Sequence, residues 1–93
     1  MLLGTADEVC FDVKLTTVEW AYEISWSIGS CQSSQDYTDN ADFSQECCLP
    51  AGTYTLTCKD SYPDGWNGGF MEINGETYCD TFTDDEETTQ VQI

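Results

Sequence analysis

Residues 58–69 read CKDSYPDGWNGG and concentrate the side chains that could do chemistry. Asp60 and Asp64 flank a turn, and both Asp-Gly and Asn-Gly are strong turn dipeptides. Because glycine adopts positive φ readily, such a loop can bring carboxylate and carbonyl oxygens to one point. Oxygen ligands without histidine or a free thiol are typical of a hard cation, above all Ca²⁺. The alternative is that the two aspartates only cap turns, while Trp66 closes one end of the domain.

The cysteines indicate an oxidising compartment. There are six of them in 93 residues, with no histidine and no C-x-x-C pair, so a zinc site is disfavoured and a disulfide framework is favoured. We therefore expect a secreted protein with three disulfides, which together add several kcal/mol to a modest core. The cysteines concerned are Cys10, Cys31, Cys47, Cys48, Cys58 and Cys79.

Six cysteines allow 15 connectivities, so spacing alone leaves the pairing open. Adjacent residues of an extended chain point to opposite sides, and Cys47 and Cys48 should therefore have different partners. The hypothesis is that Cys58 pairs with Cys79 across neighbouring strands. Cys31 then pairs with one of the two vicinal cysteines, and Cys10 pairs with the other.

The charge balance excludes some partners. The chain has 18 acidic residues against 2 lysines, giving a net charge of −16. Nucleic acid binding needs basic side chains to neutralise phosphates, and an anionic membrane surface would repel this chain. No apolar run approaches the ~20 residues that span a bilayer, so membrane insertion is not expected. Most of the carboxylates are expected to be solvated surface.

Hydrophobic alternation predicts short strands over residues 9–16, 23–28, 53–58, 70–73, 76–82 and 88–93. Asn74-Gly75 predicts a two-residue hairpin turn. Residues 29–46 are polar, with at most a short strand around Tyr37 or Phe43, and are interpreted as a variable, partner-facing loop; residues 47–52 are interpreted as a turn. The fold class is all-β, an antiparallel β-sandwich. We expect a flexible segment over residues 1–8 and a single domain over residues 9–93.

Three motifs together resemble a small extracellular module. They are Thr17 with E-I-S-W at 23–26, C-L-P-A-G-T-Y-T-L at 48–56, and D-S-Y-P-D-G-W-N-G-G at 60–69. The pattern is similar to a CUB-like or jelly-roll-like β-sandwich found in secreted and cell-surface proteins, often repeated. The resemblance covers roughly residues 11–82 and implies an acidic cation cluster at one end, made of Glu23, Asp60 and Asp64.

Two positions depart from the pattern of that module. Val18 stands where an aspartate is usual, which removes one ligand, and Pro63 replaces a glycine, which stiffens the loop and removes an N–H. The loop is also not an EF-hand, because Tyr62 would take the third ligand position. We hypothesise that a Trp66 or Gly68 carbonyl, the Asn67 side chain or Glu72 completes the shell.

Catalysis is not expected. Without histidine, a serine or cysteine nucleophile lacks its usual base, and so small a domain offers little room for a substrate cleft. The leading interpretation is a non-catalytic binding or adhesion module with Ca²⁺ that recognises carbohydrate or protein through aromatic faces. The alternative is a structural unit of an extracellular matrix, filament or mineral-associated assembly, joined through sheet edges or cation bridges. The candidate contact aromatics are Trp20, Tyr22, Tyr62 and Trp66.

Overall fold

Two four-stranded sheets form the fold of the computed structural model, which describes residues 8–33, 36–62 and 65–93. One short 3-10 turn, Ala21–Glu23, lies between the first two strands. The strands are β1 Glu8–Thr16, β2 Ile24–Ile28, β3 Cys31–Gln32, β4 Asp42–Pro50, β5 Thr53–Asp60, β6 Phe70–Ile73, β7 Glu76–Tyr78 and β8 Glu86–Gln92.

The first sheet has the strand order β4-β1-β6-β7 and the second has the order β3-β2-β5-β8. Every neighbouring pair in both sheets is antiparallel. The prediction of an antiparallel all-β fold held by three disulfides is therefore confirmed. The chain crosses repeatedly between the sheets, so each sheet combines strands that are distant in sequence.

The core lies between the sheets and follows the period-2 pattern of the sequence. In β2, for example, Ile24, Trp26 and Ile28 are buried, while the two serines between them are half-buried on the outer face. Trp26 is thus a core residue, as its alternation with isoleucines predicts. The other strand residues that fill the core include Phe11, Val13, Leu15, Cys47, Leu49, Leu56, Cys58, Met71, Ile73 and Val91.

The strand β4 is the main difference from the sequence-based prediction, which placed a polar loop and a turn over its residues. β4 runs for nine residues, and its inward positions are Phe43, Gln45, Cys47 and Leu49. The polar residues between them lie on the outer face of the sheet, because successive side chains of a strand point to opposite faces. The alternation was present in the sequence but was obscured by Gln45 at an inward position. Conversely, the strand predicted over 76–82 ends at Tyr78, since Cys79 adopts a positive φ of 63°.

The hairpin between β6 and β7 turns at Asn74-Gly75, as predicted. Both residues have positive φ, 51° and 83°, and Ile73 pairs with Glu76 across the turn. Positive φ at both central positions is the signature of the turn that matches the right-handed twist of paired strands.

Tyr37 anchors the segment between β3 and β4 to the core, whereas the sequence predicted a partner-facing loop here, with at most a short strand around Tyr37 or Phe43. Its ring is buried against Phe43, with the centroids 4.8 Å apart. The Trp26 indole N–H donates a hydrogen bond of 2.9 Å to the Tyr37 hydroxyl. Burial raises the pKa of Tyr37, and the hydrogen bond from Trp26 offsets part of that rise.

The disulfides are Cys10–Cys48, Cys31–Cys47 and Cys58–Cys79. This pairing agrees with the hypothesis, including different partners for the vicinal cysteines. Cys47 is buried and reaches β3 of the second sheet, whereas Cys48 faces outward and pairs with Cys10 directly across β1 and β4. Two of the three bonds therefore join one sheet to the other.

We predict that removing Cys58–Cys79 destabilises the domain more than removing Cys10–Cys48, although it closes the shorter loop. The sequence separations are 21 and 38 residues, for which chain entropy gives about 3.3 and about 3.9 kcal/mol. Cys58 and Cys79 are both buried, so their replacement by alanine also leaves a cavity costing about 1–2 kcal/mol. The cavity cost exceeds the difference in loop entropy.

Urea unfolding of the two double-alanine variants provides the measurement, with the wild type as reference. A Cys10→Ala/Cys48→Ala variant that is clearly the less stable of the two would contradict the prediction. It would show that loop length outweighs packing in this domain.

Candidate cation and ligand-binding site

Glu23 and Asp60 lie side by side at one end of the second sheet. Asp60 is the last residue of β5 and has the same parity as the buried Leu56 and Cys58, so its side chain falls on the inner face. Ile24 pairs with Asp60, and the Ser61 N–H donates a 3.1 Å hydrogen bond to the Glu23 carbonyl. Two acidic residues from separate sequence motifs are therefore brought together.

Both acidic side chains are buried, with exposed fractions of 8% for Glu23 and 2% for Asp60. The Oδ1 atom of Asp60 accepts a 3.1 Å hydrogen bond from the Tyr62 N–H. The Oε1 atom of Glu23 is buried and accepts no hydrogen bond. A desolvated carboxylate oxygen without a donor is costly, and a hydrogen-bond donor, a water molecule or a cation would compensate it.

An open hollow of about 400 Å³ lies beside these carboxylates. The sequence did not identify Lys59 and Asp85 as part of this region, but both line the hollow together with Glu23 and Asp60. Asp85 lies beside the hollow because β5 pairs with β8. Its carbonyl accepts a 2.9 Å hydrogen bond from the Asp60 N–H. Only the strand register brings it in, so no local motif could have predicted it.

The other predicted cation ligands do not all join Glu23 and Asp60. The prediction that Glu72 joins them was wrong. Glu72 lies on the outer face of the first sheet, beside Lys14 and Asp12, because its two neighbours in β6 face the core. Asn67 has a positive φ of 52° and donates a 3.4 Å hydrogen bond to the Gly65 carbonyl. Asp64, like Pro63, lies outside the described residues. In the parts of the chain described, no group of three or more histidine, cysteine or acidic residues is arranged to hold a metal ion.

Trp66 is buried and is not a contact aromatic, which corrects one of the four assignments made from the sequence. Its side chain is 1% exposed. The indole N–H donates a 3.0 Å hydrogen bond to the Lys59 carbonyl, and its ring packs edge-to-face against Phe82 at 5.9 Å. Trp66 thus fills one end of the core and ties the loop that carries it to β5.

The remaining three candidate aromatics are exposed at the same end of the domain. Trp20, Tyr22 and Tyr62 are 50%, 67% and 66% exposed, and the rings of Trp20 and Tyr22 pack edge-to-face at 6.3 Å. The pKa of Tyr22 is raised by local desolvation and then by the adjacent Glu23 carboxylate, with smaller effects from Asp39 and Tyr62. Tyr22 directly precedes Glu23, and the Tyr62 N–H hydrogen-bonds to Asp60, so both rings are carried by the segments that hold the buried carboxylates.

The segment that carries Trp20 and Tyr22 is held by hydrogen bonds to residues 38–41. The buried Thr17 hydroxyl donates to the Thr38 carbonyl at 2.6 Å, and Asp39 accepts from the Ala21 N–H at 2.9 Å. Trp20 adopts a left-handed conformation with φ of 59°, which is uncommon for a bulky residue. Asp39 was not identified from the sequence, because it lies in a polar loop and its hydrogen-bond partner Ala21 is 18 residues away.

Gly65→Ala is predicted to destabilise the domain by several kcal/mol more than Gly75→Ala. Both glycines have positive φ, 77° and 83°, so alanine costs about 1–2 kcal/mol at either position from backbone strain. A Cβ at Gly65 would also overlap the Phe82 carbonyl oxygen, whereas at Gly75 it meets nothing within 4 Å. Equal losses in urea unfolding would contradict this assignment of a close approach between the Trp66 loop and the segment after β7.

Comparison of the chain with protein-family models, with curated proteins and with solved structures gives no match. The CUB-like resemblance therefore stays a prediction based on the three motifs.

Proposed function

We propose that this protein is a non-catalytic extracellular binding module whose ligand surface lies at the Glu23–Asp60 end of the sandwich and depends on Ca²⁺. The observation that carries the proposal is the buried Glu23 Oε1 atom, which has no hydrogen-bond partner and lies in a buried acidic pair beneath exposed aromatic rings. Burial of such a pair favours a site where a cation supplies the missing counter-charge. Glu23 and Asp60 would hold the ion, and Asp64 stays a sequence-based candidate.

The exposed rings supply the contact surface in this proposal. Trp20 and Tyr22 form an edge-to-face pair, and Tyr62 follows Asp60 by two residues. Aromatic faces provide contact area with little loss of conformational entropy, and carboxylates or a bound Ca²⁺ provide direction. This combination suits a glycan or a protein partner of an extracellular domain.

The setting of the chain is consistent with this proposal. Three disulfides are typical of proteins in an oxidising, extracellular environment. Among the described residues, no helix has the length and apolar character needed to cross a membrane. The net charge of −16 would be partly relieved by bound cations.

We predict that the effect of Glu23→Gln on the stability of the domain differs with and without Ca²⁺. In EDTA the variant should be as stable as the wild type or more so, because a neutral amide replaces a desolvated carboxylate. With Ca²⁺ at a hundredfold excess over its dissociation constant, the wild type should gain about 2.7 kcal/mol and the variant should gain little. Thermal melts with titrated Ca²⁺ provide the measurement.

Glu72→Gln is the matched control, since it removes the same charge from the other sheet. It should respond to Ca²⁺ like the wild type. If both variants and the wild type respond alike, Ca²⁺ acts by general screening of an acidic protein and the specific site is refuted. A flat response of the wild type would refute it as well.

We further predict that the ligand surface is lost with Trp20→Ala or Tyr22→Ala. Binding of the wild type to arrayed glycans and cell-surface proteins in Ca²⁺ should fall about tenfold or more in either variant, since a contact aromatic contributes about 2 kcal/mol. Val9→Ala is the control, because Val9 is also exposed but lies at the opposite end of β1. Binding that survives both aromatic changes would place the surface elsewhere.

A structural role in an extracellular assembly is the second candidate function. The observation that favours it is the long edge strand β8, which has a strand partner on one side only among the described residues.

A further inference from the structure

The edge strands of the two sheets differ in how far they are protected. β3 and β7 have two and three residues, which is too short to recruit another strand effectively. β4 is long, but it carries Asp42, Glu46 and Pro50. It is also joined to β3 by Cys31–Cys47 and by a 2.8 Å hydrogen bond from the Gln45 side chain to the Gln32 carbonyl. β8, with seven residues, is the long edge strand that no other strand covers within the described chain.

The composition of this edge is unusual for so acidic a chain. Residues 88–93 read TTQVQI, without charge, proline or glycine, although 20 of the 93 residues are charged. Soluble proteins commonly protect an edge strand with lysine, proline or a bulge. The charges of β8 are confined to its start, at Glu86 and Glu87. Uncharged segments of high β-propensity are the kind that pair with another strand.

The hydrogen-bonding register shows which backbone groups face outward. Gly52 and Ile93 exchange two backbone hydrogen bonds of 3.0 and 2.8 Å, so they form a hydrogen-bonded pair. Alternation along β5 and β8 then directs the N–H and C=O groups of Val91 and Thr89 to β5. The corresponding groups of Thr88, Gln90 and Gln92 point away from β5, toward the free edge.

The side chains of two of these residues, Gln90 and Gln92, hydrogen-bond to threonines of β5. The Gln90 amide donates a 2.9 Å hydrogen bond to the Thr55 hydroxyl, and the Thr53 hydroxyl donates a 2.8 Å hydrogen bond to the Gln92 side-chain oxygen. These contacts run along the outer face of the second sheet and fix the edge side chains in place. The edge is therefore ordered before any partner arrives, which lowers the entropy cost of pairing.

We propose that β8 pairs antiparallel with β8 of a second copy of this chain, centred on Gln90. In that register Gln90 faces Gln90 of the other copy, and Thr88 faces Gln92, so every outward backbone group from 88 to 92 gains a partner. Glu87 lies opposite Ile93 in this register, so no carboxylate side chain from 87 to 93 faces another. Strand addition of this kind joins the two second sheets into one eight-stranded sheet.

A second copy fits this edge because the pairing keeps like charges apart in a chain that carries −16. The remaining charges still repel over longer distances, so the dimer should form more readily in salt. The Debye length falls from about 10 Å at 0.1 M to about 3 Å at 1 M ionic strength. This inference rests on the second candidate function and makes it more specific. It is independent of the cation site proposed at the Glu23–Asp60 end.

The test is sedimentation velocity of the oxidised protein in EDTA, at about 0.1 M and about 1 M NaCl, over a wide range of protein concentration. EDTA removes any association through Ca²⁺ bridges. The wild type is expected to dimerise in a concentration-dependent manner, more strongly at high salt. Backbone amides of Thr88, Gln90 and Gln92 should gain protection from hydrogen exchange on dimerisation. A wild type that stays monomeric at high salt overturns the proposal.

Two substitutions at the centre of the edge sharpen the test. Gln90→Pro removes an N–H that β5 does not use, and Gln90→Glu places two carboxylates face to face across the symmetry axis. Each should weaken dimerisation about tenfold or more. Gln32→Glu adds the same charge at the opposite edge of the same sheet and should dimerise like the wild type. Dimerisation of Gln90→Glu equal to that of Gln32→Glu overturns the proposal, even if Gln90→Pro fails to fold.

Discussion

The packing of two sheets against each other in a strongly acidic chain is the constraint on which the structure depends. A net charge of −16 works against compactness, and the core that opposes it comes from only 93 residues. Two disulfides cross from one sheet to the other, through Cys31–Cys47 and Cys58–Cys79. They hold the sheets together at separate places, while Cys10–Cys48 strengthens a pairing within one sheet. Covalent cross-links thus supplement a core that must work against charge repulsion.

The same constraint explains why one end of the sandwich is chemically distinctive. Most carboxylates of the described chain lie on the surface, where water solvates them, yet Glu23 and Asp60 are buried at the end of β5. Trp66 closes the core there, and Gly65 lets its loop pass close to Phe82 in the segment after β7. Buried charge, strained backbone at Trp20 and exposed rings therefore occur together. Such features destabilise a fold, and their co-occurrence is typical of functional sites.

Charge is distributed unevenly between the two regions for which we propose a role. The Glu23–Asp60 end gathers acidic groups around a hollow that also contains Lys59, whereas the edge of β8 is neutral from residue 88 onward. A cation and an identical chain place different demands on a surface: the first needs oxygen ligands, the second needs the absence of like charge. One small domain can meet both demands because the acidic groups lie at the Glu23–Asp60 end and the uncharged residues lie along the edge of β8.

The sequence by itself determined most of the strands, the faces that these strands bury and the need for the vicinal cysteines to have different partners. Alternation of period 2 and the Asn74-Gly75 turn are local properties, so they could be predicted without knowledge of the fold. β4 was missed because Gln45 weakens its alternation, and edge strands tolerate polar residues. Which of the acidic residues meet was decided only by the tertiary structure. Strand register brings Asp85 to Asp60 and leaves Glu72 on the other sheet, since pairing between distant strands has no local signal. The burial of Trp66 was decided in the same way, by the space between two sheets that the chain forms only when it is folded.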